Sequence, residues 1–246
     1  MKGVSKELES QEIESRIRMV QWWKRPFDIV CSGIGLVLAS PLLLLSALTL
    51  IIVMGRPVFF SQERPGLRGE PFTLYKFRTM TDARNQDGIL LPDRERLTRV
   101  GRLLRSASVD ELPQLLNVLK GEMSLVGPRP LLPEYLPHYS PRESMRHLVR
   151  PGITGLAQVS GRNALGWEQR LELDAEYVER ISVWLDLRIL AATVVKAVTR
   201  AGVADDSREA EGNLADLRTR RQEAKGVQDL HVDDEEARTN GRGGSE

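Results

Sequence analysis

The 246-residue chain is expected to adopt an α+β fold, mainly helical, and three observations predict it. Residues 29–55 carry no charge but are interrupted midway by Ser40-Pro41, the pattern of a membrane helix with a break. Residues 58–62 and 72–77 flank the turn-rich ERPGLRGEP and read as a small β-hairpin. Between there and residue 200, short segments with apolar periodicity read as amphipathic helices, some at a membrane interface, around a compact core. Four regions follow: a charged arm (1–21), the broken membrane helix (22–56), a compact domain (57–200) and an acidic tail (201–246) expected to be disordered.

The arm contains no signal-peptide apolar region. Trp22, Trp23, Lys24 and Arg25 then form an aromatic and basic belt suited to a lipid–water boundary. As one straight helix, 29–55 is about 40 Å long, enough to cross a ~30 Å hydrocarbon core. Pro41 leaves halves of about 16 and 21 Å, each too short to span. Ser40 stands ready to satisfy the backbone group that proline frees. Geometry alone permits a kinked spanning helix or a re-entrant hairpin. Charge favours the hairpin, with both ends on the cytoplasmic face: Lys24 and Arg25 precede the run, and Arg56, Arg64, Arg68, Lys76 and Arg78 follow it.

On the second strand Lys76 and Arg78 lie two apart and face the same way. They form either an ordinary basic edge or a pair contacting phosphates or head groups. Residues 81–93 are polar and read as a flexible loop, and 97–104 as a short basic helix.

The stretch RSASVDELPQLLNVLKGEMSLVGPRP, 105–130, concentrates the reactive side chains. Ser108-Val109-Asp110-Glu111 matches a capping box, predicting a helix from near Val109 through Leu119, with Pro113 in its first turn and Lys120-Gly121 as its stop. On that reading Glu111 caps the helix and Asp110 complements its dipole. A second reading uses Arg105 and Arg129, whose guanidinium forks suit phosphate. Pro128 and Pro130 restrain Arg129, so it loses less entropy on engaging a ligand. An ionised Asp110 in that field can be a nucleophile or a Mg²⁺ ligand. Adjacent helical residues point about 100° apart, so the two acids would hold different roles.

Further on, His138 and His147 read as surface or packing residues. The glycines of PGITGLAQVSGRN permit backbone to approach a ligand closely. Arg162 and Asn163 could reach a diphosphate or a sugar, or Asn163 could simply stabilise a turn. Residues 167–198 read as helix in two pieces, of which 183–198 either lies in the interface or packs on the core.

Composition narrows the function. Residues 201–246 hold 12 acids against 7 bases, so the first 200 carry +6 of a net charge of +1. A basic body suits anionic lipid and phosphorylated substrates, and no nucleic-acid partner is expected. Cys31 is the one cysteine, so no intrachain disulfide can form. Three histidines and that cysteine argue against zinc. Walker A, complete G-x-G-x-x-G, G-x-S-x-G and D-x-D patterns are absent.

LTRVGRLLR, DELPQLLNVLKGEMSLVGPRP, PGITGLAQVSGRN and the FSQERPG…LYKFRTM run together resemble the bacterial monotopic phosphoglycosyl transferases, which initiate exopolysaccharide and glycoconjugate synthesis. The likeness covers roughly residues 24–198, with the motifs in the family's order. It implies a re-entrant helix at Ser40-Pro41 and attachment to the cytoplasmic face of the bacterial inner membrane. It implies transfer of a sugar-1-phosphate from a nucleotide diphosphate sugar, UDP-linked in most cases, to a polyprenol phosphate, with UMP released. Asp110 would be the nucleophile of a covalent phosphosugar intermediate, Glu111 its assistant, and Mg²⁺ the cofactor. Arg105 and Arg129 would steady charge on phosphate, with Lys76, Arg78, Arg162 and Asn163 contacting substrate. A homodimer is left open. Two rival classes are a membrane-tethered scaffold that binds lipid phosphate without turnover, and an interfacial hydrolase of nucleotide diphosphate sugars.

Overall fold

The computed structural model describes residues 2–161, 165–199 and 213–219. Helix α1 (Lys2–Met54) runs through the arm and the apolar segment, with Pro26 and Pro41 inside it. Pro41 has no N–H to give the Val37 carbonyl four residues back; the Ser40 hydroxyl donates to that carbonyl instead, at 2.8 Å. Among the described residues α1 is the one helix long and apolar enough to cross a membrane. Val37, Leu38, Ser40, Pro41 and Leu42 around the proline are all exposed.

Strands β1 (Phe59–Pro65) and β2 (Pro71–Phe77) pair antiparallel, Phe59 opposite Phe77 and Pro65 opposite Pro71. Residues 80–97 are more ordered than the expected flexible loop. Met80 bridges Leu97, Arg84 bridges Leu90, and the Asn85 side chain accepts from the backbone N–H groups of Asp87 and Ile89. Then come α2 (Asp93–Arg96), α3 (Arg99–Ser106), a 3₁₀ turn at Val109–Glu111, α4 (Gln114–Lys120) and β3 (Ser124–Val126). The proline-rich connection forms a 3₁₀ stretch at Pro133–His138 and the short helix α5 (Pro141–Ser144), followed by a 3₁₀ turn at Met145–Leu148. Last are β4 (Gly152–Thr154), α6 (Leu156–Ser160), α7 (Trp167–Glu179) and α8 (Val183–Thr199). Residues 213–219 belong to a separate unit and are helical over 214–219; the rest of the expected tail lies outside the described residues.

Three apolar clusters hold the domain. Ile17 of α1 packs with Val126, Val149, Tyr177, Val178, Ile181 and Ile189. Phe72 and Leu74 of β2 pack with Val118 and Met123. Leu50 of α1 packs with Phe77 and Leu104. Polar staples reinforce the first half of α1. Lys24 pairs with Asp186 of α8. The Arg25 guanidinium donates to the carbonyls of Val118 and Leu119, capping the negative end of α4. Asp28 accepts from the Leu125 N–H at 3.1 Å. Lys24 and Arg25 are therefore spent on the protein, not on the lipid belt the sequence suggests, whereas Trp22 and Trp23 are exposed as that belt requires.

Asn117, fully buried on α4, docks that helix onto the open edge of β2. Its amide donates to the Thr73 carbonyl (2.6 Å) and to Glu122 (2.7 Å), and its oxygen accepts from the Tyr75 N–H (3.2 Å). In effect one side chain substitutes for a third strand. β3 and β4 pair in parallel, Ser124 with Gly152 and Val126 with Thr154. Here the PGITG glycines correct the expectation that they admit a ligand: they admit another strand. A Cβ on Gly152 would lie 2.1 Å from the Gly127 nitrogen, and one on Gly155 2.2 Å from the Gly127 oxygen.

Gly152→Ala should therefore lower the thermal midpoint in detergent, by an amount equivalent to about 3 kcal/mol of overpacking. Gly33→Ala, whose Cβ would meet nothing within 4 Å, should leave it unchanged or slightly higher. Equal effects from the two would contradict this account of the strand contact.

Candidate active site

The site forms where β2, the 3₁₀ turn and the segment after β3 converge. The predicted capping box is not made. Ser108 sits in left-handed backbone (φ 55°) and its side chain caps nothing. α4 starts at Gln114, five residues later than expected, and stops as predicted at Lys120-Gly121, with Gly121 at φ 91°. A working capping box occurs elsewhere, at Ser140 and Glu143.

Released from capping, Glu111 turns inward to two cations. The Lys76 ammonium lies 3.0 Å from Oε1. Arg129 takes both carboxylate oxygens, one through an Nη at 3.2 Å and the other through a shorter contact. Burial alone would push the Glu111 carboxyl up; Arg129 and then Lys76 outweigh it and hold it well below the usual carboxylate range. Burial, then Arg129, lower the Lys76 ammonium despite the pull of Glu111. Lys76 is thus on the inward face of β2 with Phe72 and Leu74, and is not an open basic edge.

Asp110 is 8 % exposed. Burial and then Glu111 raise its pKa, against the attraction of Lys76, Arg105 and Arg129. No hydrogen bond from a described residue contributes to its charge state. Arg105 is oriented by the segment just after β2, its Nε donating to Thr79 Oγ1 at 3.0 Å. α3 can lie that close because Gly101 has no Cβ: one there would be 2.0 Å from the Thr79 carbonyl oxygen.

Asp110, Glu111, Lys76, Arg105 and Arg129 therefore come together. Arg78 does not join them; it donates to the Met54 carbonyl at 3.1 Å and closes the end of α1. Arg162 and Asn163 lie outside the described residues. His138 and His147 belong to no metal cluster, and among the described residues no three His, Cys, Asp or Glu are poised around an ion. His147 packs on Tyr139, and burial lowers its pKa to about 4. With Glu111 committed to cations, Asp110 is the carboxylate left to accept a divalent ion. It fits Mg²⁺ of the kind that takes one or two carboxylates and completes its shell with substrate phosphates and water.

A buried acid ringed by arginines and a lysine, carried beside a long exposed apolar helix, defines a membrane-associated enzyme of phosphorylated substrates. The chain belongs to the bacterial sugar transferase family, whose model matches residues 19–200. It is 56% identical over 180 residues to the uncharacterized sugar transferase EpsL of Bacillus subtilis, covering 73% of this chain and 89% of that one. It is 44% identical over 187 residues to a UDP-glucose:undecaprenyl-phosphate glucose-1-phosphate transferase of Caulobacter vibrioides, covering 72% and 70%. With the exopolysaccharide production protein ExoY of Rhizobium meliloti it shares 38% over 190 residues, covering 70% and 83%.

The two acids should affect stability with opposite signs. Asp110, its folded pKa raised, stabilises the fold below its ordinary pKa, and that contribution is lost as pH rises through the folded value. Glu111, its folded pKa depressed, stabilises above its ordinary pKa, and that is lost as pH falls through the folded value. At pH 7.5 Asp110→Asn should therefore raise the thermal midpoint, while Glu111→Gln lowers it through loss of charge-assisted hydrogen bonds, roughly 2 kcal/mol. Calorimetry in detergent checks the pair.

Proposed function

We propose that this protein transfers a sugar-1-phosphate from a UDP-sugar to undecaprenyl phosphate or a similar polyprenol phosphate, through a covalent aspartyl intermediate. The observation that carries the proposal is the division of labour at the acids: Glu111 is clamped by Lys76 and Arg129, while Asp110 is held in their field with no hydrogen bond to its carboxylate among the described residues. The named reactions of the Caulobacter relative and of an undecaprenyl-phosphate galactose phosphotransferase from Salmonella typhimurium, 38% identical over 202 residues, support it.

An Asp110 oxygen attacks the sugar-bearing phosphorus of the diphosphate. The bond from that phosphorus to the bridging oxygen breaks, and UMP leaves with the electron pair. The polyprenol phosphate oxygen then attacks the same phosphorus, and the Asp110 carboxylate is expelled as the polyprenyl diphosphate sugar forms. Arg105 and Arg129 steady charge on the phosphoryl oxygens. Glu111 keeps Lys76 and Arg129 in register. Asp110 would hold Mg²⁺, which would supply positive charge to offset that on the substrate and leaving group.

Re-entry of α1 from the cytoplasmic face of the inner membrane belongs to the same proposal. Both halves of the helix dock on one domain, Ile17 in one cluster and Leu50 in another. A straight helix would place Arg25 and Leu50 about 37 Å apart. Yet Arg25 holds Val118, the neighbouring Asn117 holds Tyr75, and Phe77 packs on Leu50. Those few links favour a bend at Ser40-Pro41, whose exposed surroundings would be the part in lipid.

In membranes supplied with polyprenol phosphate, UDP-sugar should yield UMP and a lipid-linked sugar, and Asp110→Asn should reduce that by at least about 10⁴-fold without loss of membrane association. Steady release of free sugar phosphate without lipid would identify a hydrolase instead, and binding without UMP a scaffold. Tags at both termini should resist protease added to intact spheroplasts; cleavage of the N-terminal tag alone would establish a spanning helix.

A further inference from the structure

Arg129 is gripped from behind as well as in front. While its guanidinium holds Glu111, its backbone carbonyl accepts from an Nη of Arg146 at 2.5 Å. Pro128 and Pro130 on either side offer no N–H, so this carbonyl is one of few backbone handles on the segment. Arg146, in the 3₁₀ turn after α5, is 3 % exposed. It pairs with Asp174 of α7 at 2.9 Å, donates to the Tyr139 hydroxyl at 2.9 Å and lies over the Tyr139 ring. Asp174 is itself 5 % exposed. Burying an ion pair this completely is costly and rarely adds net stability over apolar packing. Its geometry here ends on the arginine that sets the charge around the catalytic acids.

We propose that the Arg146–Asp174 pair is a positioning device for the active site. It fixes the Arg129 carbonyl, and through it the grip of the Arg129 guanidinium on Glu111 and the electrostatic field at Asp110. Neither residue touches the reacting groups in this scheme; both act through Arg129. The inference rests on the catalytic roles proposed above for Asp110 and Glu111.

Arg129 holds Glu111 through two guanidinium contacts, so freeing its carbonyl should loosen that grip. In Arg146→Lys the kcat for UMP release should fall about 10–100-fold while KM for UDP-sugar stays nearly unchanged. Tyr139→Phe, a milder change that keeps the ion pair, should lower kcat by less. Arg129→Lys should produce the larger loss, and adding Arg146→Lys to it should change little further.

A second measurement needs no turnover. Arg146 and Glu111 are joined through Arg129, so the losses in thermal midpoint from Arg146→Lys and Glu111→Gln should be less than additive. If the wild-type enzyme releases no UMP, the functional reading fails and this stability cycle still decides the positioning role. A stable Arg146→Lys variant that keeps the wild-type kcat would overturn the inference, as would strict additivity in the stability cycle.

Discussion

The contact on which the site depends is the double hold of Lys76 and Arg129 on Glu111. A carboxylate buried beside another acid would ordinarily take up a proton, because neither water nor a partner stabilises its charge. Glu111 avoids this by engaging two cations through three hydrogen bonds. Because it absorbs their donors, Asp110 next to it feels their charge without being tied down by them. In the proposed mechanism one acid is structural so that its neighbour can react. The cost is visible in the opposite directions of the two pKa shifts.

The rest of the fold serves that contact. Lys76 is carried by β2, and β2 is fixed on one edge by β1 and on the other by the amide of Asn117. The same helix that bears Asn117 has its C-terminal carbonyls held by Arg25 of α1. Arg129 extends from β3, which is drawn against β4 by glycines that no side chain could replace. The apolar helix is therefore not a mere tether. Its first half is polar-stapled to the framework of the site, and its second half seals Phe77 and Leu104 behind it. That suits a protein whose chemistry must be held at a fixed distance from a lipid surface.

Much of this was legible in the chain where it depended on neighbours in sequence. Asp110, Glu111, Arg105 and Arg129 crowd within one stretch, the Lys120-Gly121 stop is local, and Ser40 could be assigned to the backbone group freed by Pro41. The pattern Ser-x-x-Glu shows where local reading ends. It occurs at Ser108 and at Ser140, and only the second is a capping box. The first fails because Glu111 gains more from Arg129 and Lys76, partners 18 and 35 residues away that its own sequence neighbourhood does not announce. Asn117, Arg146 and Asp174 carry no local signal for the same reason. Each looks like a surface residue of an amphipathic segment until its distant partners are known. Arg78 shows the opposite case: two residues from Lys76 it should share that side chain's face, but β2 ends at Phe77 and Arg78 goes to the end of α1.

Charge also bears on the proposed cofactor. The five converging side chains bring three positive charges and two negative ones, and Glu111 already occupies donors of Lys76 and Arg129. A nucleotide diphosphate entering beside an ionised Asp110 would add at least two more negative charges within a few ångströms of it, at a place where burial weakens solvent screening. The net single positive charge of these five side chains is too small to offset the repulsion between an attacking carboxylate and a diphosphate. A divalent ion arriving with the substrate would supply the missing charge, and Asp110, whose carboxylate takes no hydrogen bond among the described residues, would be the acid to meet it. The exposed apolar surface of α1 would keep the acceptor phosphate at the same level, since its polyprenyl chain cannot leave the lipid.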